Sequence, residues 1–414
     1  MPLAPSGELT SIGLGVESTY GTAAIPTIFL PADNVVFAGT NAFNERPGAR
    51  KRRGRTRPST GMYMGKGSFD AEADPDNLGA LLQLVTGAET VTPNAANPQQ
   101  SAVVATTSTN PIPAGFSTVT PASLAGIAVG ASLVYPADAG NTNGETIVVK
   151  AVSNGTYSAY HKFAHAAGVA ITNAPIVLAY DHLFTLASPL KFFTAQINEV
   201  ISARNCVGNK IAQLSLSATS KAILSSKVTT EYQTEYHTSS PVTPSYSTLE
   251  AFAFETAGNF GTLNGLPSRA TIQSWSVDVN TGLTTDFPNF GGGRLRAQIP
   301  ETILKVSGAL QIAYETDDIQ QAFWGNIAGA TSPQSIVLPL GFRFGFVSSD
   351  NANAAVPYEV QIIVGAAMLS QASKPIKAGS YLTQACRFEG YESINGASDD
   401  FSAILTNAAS GPSI

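Results

Sequence analysis

A period of two constrains this chain more than any other feature. "GMYMGKGSFDAEAD" (61–74) puts Lys66, Ser68, Asp70 and Glu72 on one side and Tyr63, Phe69 and Ala71 on the other, because successive side chains of an extended strand point to opposite faces. The alternation returns in "KFFTAQINEV" (191–200), "KIAQLSLSA" (210–218), "TIQSWSVDVN" (271–280) and "ILKVSGALQIAYE" (303–315). Further strands are expected at 335–346, 356–364, 380–391 and 401–407. Helical periodicity is confined to two places. In "DPDNLGALLQLVTG" Asp74 is the expected N-cap and Pro75 the first helical residue; Leu78, Leu81, Leu82 and Val85 form the apolar stripe, and Gly87 marks the stop. "DDIQQAFWG" (317–325) is a shorter version of that pattern. The expectation is a mainly β chain, an antiparallel β-sandwich of two packed sheets with one flanking α-helix.

Between 91 and 179 the texture changes. "TVTPNAANPQQSAVVATTSTNP" carries neither charge nor aromatic rings, and the short pieces "ASLVYPA", "ETIVVKAV" and "GTYSAYHKF" follow, punctuated by Asn143-Gly144 and Asn154-Gly155. This segment reads as a small β module inserted, with its ends close together, into a domain made of 1–90 and 180–414. No period of 20–50 residues runs along the chain, which excludes a solenoid or propeller.

Charge is distributed unevenly. The chain has 23 Lys+Arg against 29 Asp+Glu, a net −6. Seven of those bases (Arg46, Arg50, Lys51, Arg52, Arg53, Arg55 and Arg57) lie within "NERPGARKRRGRTRP" (44–58), and the remainder of the chain is therefore 16 against 29, or −13. Residues 40–60 read as a long loop between a strand ending near Phe37 and one starting at Gly61. A basic run of this kind most often reads as a nucleic-acid patch or a solvated tail. With 43% hydrophobic and only 13% charged residues, the chain can bury a large core and offers few groups for acid–base chemistry. The longest apolar run, "VQIIVGAAML" (360–369), is too short to span a bilayer. "MPLAPSGELT" lacks the basic and apolar regions of a secretory leader, and Cys206 and Cys386 read as buried free thiols. A soluble protein made in a reducing cytoplasm is expected.

Motifs for catalysis are missing. "GLGVES" (13–18) has no βαβ setting, and "GGGRLR" (291–296) lacks the Gly-Lys-Ser/Thr ending of a phosphate loop and reads as a flexible hairpin loop. His161 and His165 lie on a β pattern, where their spacing separates them by about 13 Å; His182 and His237 are isolated. No Gly-x-Ser-x-Gly elbow occurs. Asp70, Glu72, Asp74 and Asp76 lack the glycine and closing Glu of a calcium loop. No enzyme, cofactor or metal is expected.

"GLGVESTYGTAAIPTIFLPADN" (13–34) resembles the opening of tail tube proteins from long non-contractile-tailed bacteriophages, in which a G-x-E-x-[ST]-Y-G-T-A-x-x-P segment precedes the first strands. The resemblance continues through the Arg/Gly-rich segment, a strand and "DPDNLGALLQLVTG". It resumes at "YDHLFTLASPLKFFTAQIN" (180–198), "CVGNKIAQLSLSA" (206–218) and "SAILTN" (402–407), leaving out 91–179. It implies a sandwich assembled as homohexameric rings, whose inner sheets join into one β-barrel and which stack into a tube for double-stranded DNA. It also implies a virion protein assembled in the bacterial cytoplasm, acting in genome ejection and host entry, with tape measure, tail terminator and distal tail proteins as partners and no membrane. On that reading Arg46, Arg50, Lys51, Arg52, Arg53, Arg55 and Arg57 form an inter-ring contact loop. Lys66, Ser68, Asp70 and Glu72, with Lys305, Ser307, Gln311 and Glu315, are the lumen-facing candidates on a polar or mildly negative wall, the alternative being ordinary solvent on an outer sheet. The inserted module is expected on the tube exterior. The alternatives are a tail-completion or tail-tip ring of related fold and a nucleic-acid-binding protein using 46–57.

Overall fold

The computed structural model describes residues 10–44, 58–96, 105–139, 142, 144–173, 179–199, 202–263, 272–284, 293–325, 332–333, 340–353, 356–374, 382–392 and 400–414. The chain divides into two compact units: Met1–Asn94 with Ala179–Ala352 and Pro357–Ile414, and Ala95–Leu178 with Asn353–Val356. In the first, β1 (Ser11–Val16) and β2 (Ile28–Leu30) precede a long hairpin of β3 (Ala32–Asn44) and β4 (Ser59–Glu72), then α1 (Leu78–Thr86) and β5 (Gly87–Pro93). The second unit holds β6 (Ala105–Thr107), β7 (Gly115–Val119), β8 (Ser132–Tyr135), β9 (Glu145–Ser153), β10 (Thr156–His161) and β11 (Ala170–Asn173). The first unit resumes with β12 (Tyr180–Leu186), β13 (Phe193–Asn198), β14 (Ala203–Thr219), β15 (Ser225–Tyr232) and β16 (Thr234–Thr238). β17 (Phe260–Leu263), β18 (Ile272–Asn280), β19 (Lys305–Ala313) and α2 (Asp318–Phe323) come next, followed by β20 (Leu340–Asn351), β21 (Pro357–Ser373), β22 (Thr383–Gly390) and β23 (Ser402–Asn407).

Among the described residues every strand pair is antiparallel. The pairings β3·β4, β4·β15, β15·β14, β14·β18, β18·β19, β19·β22 and β22·β21 build one eight-stranded array. A second set of ladders runs β2·β1·β13·β14·β16 and β17·β20·β21·β23·β12·β5. The 17-residue strands β14 and β21 belong to both sets and shift register partway along, as a strand does when a bulge bends it from one sheet to another. Between the sets lies one core. Trp275 of β18 stacks on Phe344 of β20 at 4.6 Å, and Phe342 of β20 on Phe388 of β22 at 4.3 Å, each pair contributing about 0.5–1.5 kcal/mol beyond its area.

Local pairing overrides several boundaries read from side-chain pattern alone. β3 does not stop near Phe37 but continues to Asn44, which pairs with Ser59; ladder hydrogen bonds carry the hairpin through polar residues that show no alternation. β21 likewise extends well past 364. The helix also differs. α1 starts at Leu78, with Asn77 in the cap position, and Asp74 instead closes the preceding turn, its carboxylate accepting from the backbone N–H groups of Asp76 (3.0 Å) and Asn77 (2.9 Å). All nine helical residues are buried, and α1 packs against β14, β12, β5 and β23. Gly87 ends it at φ 92°, where a Cβ would lie 2.4 Å from the Ala187 carbonyl oxygen. Among the described residues there is a second helix, α2, and neither is long and apolar enough to cross a membrane. Cys206 and Cys386 are free and buried, and burial pushes both thiols up to about 12.

The second unit is a six-stranded sheet of order β6-β11-β8-β9-β10-β7 around its own core of Leu133, Tyr135, Ile147, Val149, Tyr157 and Ile171. Asn154 (φ 44°) and Gly155 (φ 81°) make the β9–β10 turn, the positive-φ pair that matches strand twist. In the first unit, the strands flanking this segment are partners. β5 pairs with β12 from Gly87↔Leu186 to Pro93↔Tyr180, and the Asn94 N–H donates to the Ala179 carbonyl at 2.9 Å.

Candidate functional site

Residues paired directly across an antiparallel ladder share a sheet face, so the registers carry a face from strand to strand. Asp70 lies opposite Lys227, Lys227 opposite Ser215, Ser215 opposite Asp278, Asp278 opposite Ser307, and Ser307 opposite Glu389. One row along are Glu72, Ser225, Ser217, Ser276, Ala309 and Arg387; on the other side are Ser68, Thr229, Gln213, Asn280 and Lys305. Gln311 continues the face through Ser274 and Thr219. The two candidate sets, separate in sequence, therefore form a single surface. Glu315 falls beyond the end of β19 and is exposed. The alternate residues, among them Phe69, Val228, Leu214, Val277, Val306, Leu310 and Phe388, belong to the core.

Short side chains tie this face together laterally. Ser217 and Ser225 hydroxyls meet at 3.0 Å, the Gln213 amide donates to Ser215 Oγ at 3.1 Å, and the Asn34 amide donates to Asp70 at 2.9 Å. Asp33, paired with Asp70, joins Asp70, Glu72, Asp278 and Glu389 on this face, against Lys66, Lys227, Lys305 and Arg387. The face is polar, with five acidic side chains against four basic ones among these. Lys227, Asp278, Arg387 and Glu389 were missed in the sequence because strand alternation reveals a polar side but not which polar sides meet.

At one end, residues 294–301 cover the face and bury three charges. Arg296 is 0% exposed and its Nη1 donates to Glu231 Oε2 at 3.0 Å, while Lys66 Nζ stands 3.3 Å from Glu231 Oε1. Lys210 donates to Glu301 and to the Ile299 carbonyl. Burial pushes the Glu301 carboxyl up, but donors from Lys210, Ser188 and Leu190 outweigh it and hold it below the usual range. The Arg294 carbonyl accepts from the Tyr63 N–H at 2.8 Å. The described part of "GGGRLR" is thus anchored, not a free hairpin loop.

"GLGVES" also acquires a structural role. A Cβ on Gly15 would lie 2.4 Å from the Ile25 carbonyl oxygen, and Glu17 accepts from the Gly208 N–H (2.7 Å), Thr194 Oγ1 (2.8 Å) and the Gly21 N–H (3.0 Å). Burial pushes this carboxyl up, against the pull of those donors. It clamps β1 to β13 and β14.

In the second unit, His161 and His165 are not about 13 Å apart. β10 ends at His161, the chain turns over 162–164, and His165 returns to bridge Ile112, leaving ring centroids 6.2 Å apart. Glu145 Oε1 sits between them, 2.8 Å from His165 Nε2 and 3.3 Å from His161 Nδ1, and Asp138 holds His165 Nδ1 at 3.1 Å. Burial lowers the His161 pKa. Glu145, His161 and His165 bring donor atoms within 4.8 Å of one another, one donor short of a closed tetrahedral zinc set among the described residues. As built, the cluster is a polar cross-link of the small sheet.

Arg46, Arg50, Lys51, Arg52, Arg53, Arg55 and Arg57 lie outside the described residues. A family model described as phage tail tube protein matches residues 7–390. No curated protein matches the chain.

Proposed function

This chain belongs to the phage tail tube protein family, and from that premise we propose that it forms closed rings which stack into the hollow tube of the tail, with the polar face of the eight-stranded array as the channel wall. The virion is its place of action, and ejection of double-stranded DNA into the host is the process it serves. One observation carries the assignment of the wall: a continuous sheet with its core on one side and, on the other, polar side chains with no net positive charge. Such a surface has no excess positive charge with which to release counterions from a duplex and hold it. A sheet of this kind also needs its two outer strands covered, and ring closure pairs them.

The basic run is the inter-ring contact on this reading. Arginine forks bind carboxylates bidentately; each exposed pair contributes about 0.2–1 kcal/mol, and repetition around a ring multiplies the effect. The partners are further copies of the chain and, at the tube's core and ends, the tape measure, tail terminator and distal tail proteins. The inserted unit sits on the exterior, where its departure and return through one hairpin disturb the sheets least.

Changing Arg50, Arg52, Arg53 and Arg55 together to Ser tests the reading. Negative-stain microscopy should show rings that no longer stack, with wild-type tubes loosening in high salt. The density of positive charge within residues 46–57 favours nucleic-acid binding as the second reading. Full-length tubes from the variant, with salt-sensitive retention of wild type alone on DNA-cellulose, would decide for it.

A further inference from the structure

With β2, β5 and β12 set aside, the element order of the first unit occurs twice. β1, β3, β4, α1, β13, β14, β15 and β16 are followed by β17, β18, β19, α2, β20, β21, β22 and β23, and the pairings repeat with them. β1 pairs β13 as β17 pairs β20; β3 pairs β4 as β18 pairs β19; β4 pairs β15 as β19 pairs β22. β14 pairs β13, β15 and β16 as β21 pairs β20, β22 and β23. α1 packs on β14 and α2 on β21. The central strands β14 and β21 have the same length of 17 residues. Even the lead-in to each helix is echoed, Glu72-Ala73-Asp74 by Glu315-Thr316-Asp317. Six repeated antiparallel relationships in one chain order are not a property of sandwiches in general.

We infer that the first unit is a tandem pair of one tube module and, granting the tube reading above, that a ring closes with three chains rather than six. The seam between the modules is inside the chain. Residues 213–219 of β14, in the first module, pair with 274–280 of β18, which opens the second. The equivalents at the outer edges are β21 and β3. Among the described residues, 368–373 of β21 pair with β22 alone and β3 pairs with β4 alone. Repeating the internal seam therefore sets β21 of one copy against β3 of the next. Both edges carry exposed apolar side chains, Val36 and Phe43 on β3 (58% and 60%) and Met368 on β21 (43%), which an added strand would cover.

Barrel geometry gives the same count. Three chains supply twenty-four strands, eight from each. With strands about 4.8 Å apart and tilted by about 40°, the backbone cylinder is about 48 Å across. Six such chains give forty-eight strands and about 96 Å, a bore far wider than one duplex requires.

The test is electron cryo-microscopy of tubes or rings of the full chain, with native mass spectrometry of single rings. Three-fold rings of six near-equal lobes, weighing three times the 42.9 kDa chain, are expected, with β21 beside the neighbour's β3. Six chains per ring would overturn the three-chain closure and leave the tube reading standing. Absence of any ring or tube, and of the chain from tail particles, would overturn the tube reading and this inference together.

Discussion

Glu231→Gln should destabilise the first unit by several kcal/mol, although the lost charge lies on a face otherwise open to solvent. Arg296 is wholly buried; Glu231 supplies its ion pair, while its Nε and Nη2 have no hydrogen-bond partner. A buried pair adds little net stability, but removing one member strands the other, at a cost of about 3–5 kcal/mol. The second contact of Glu231, with Lys66, adds at most about 1 kcal/mol, since that lysine side chain is 70% exposed. With a urea m-value of about 3 kcal/mol/M, the midpoint should fall by about 1–1.7 M. Tryptophan fluorescence reads the relevant transition, because Trp275 and Trp324 both lie in the first unit. Replacing both partners, Glu231→Gln with Arg296→Met, should recover most of the loss, for no charge is then left buried alone. A single variant within about 1 kcal/mol of wild type, or a double variant as unstable as the single, would refute the account.

Joining Asn94 to Ala179 through a two-residue turn in place of the second unit should leave the first unit folded and ring-forming, because β5 and β12 are already hairpin partners; loss of the fluorescence transition would contradict this. Changing Asp70, Glu72 and Asp278 to Lys should permit tubes yet slow DNA ejection, with retention that weakens steeply with salt; unaltered ejection kinetics would remove this face from the channel. Acid should destabilise the first unit through Glu89 and Glu301. Burial pushes the Glu89 carboxyl up, but donors from His182 and Ser413 outweigh it and hold it below the usual carboxylate range. A depressed folded pKa contributes stability above the unfolded pKa and loses it as pH falls through the folded pKa, so Glu89→Gln should flatten the stability–pH curve below about pH 4.5, as read by thermal melts.

Period-two alternation was enough to identify a mainly β chain and to sort Lys66, Ser68, Asp70 and Glu72 from Phe69 and Ala71, because which face a strand residue takes depends only on its own parity. Gly87 as the helix stop was legible for the same local reason. The change of composition near 91 and 179 was visible too, since it needs no knowledge of contacts. What parity cannot supply is register. The meeting of Asp70 with Lys227 and of Asp278 with Ser307 is set by hydrogen-bonded ladders between strands far apart in sequence, and only these ladders unite the 61–74 and 303–315 faces and set their acids beside lysines and arginines. His161 and His165 were misplaced because a three-residue turn, invisible to periodicity, brings the second ring back to the first. Asp74 was moved off the helix cap by the turn it closes. The repeat was half visible: "DDIQQAFWG" reads as a shorter copy of the first helix. Recognising a module needed the pairings around it, because a fold constrains which strands are neighbours far more tightly than which side chains they carry.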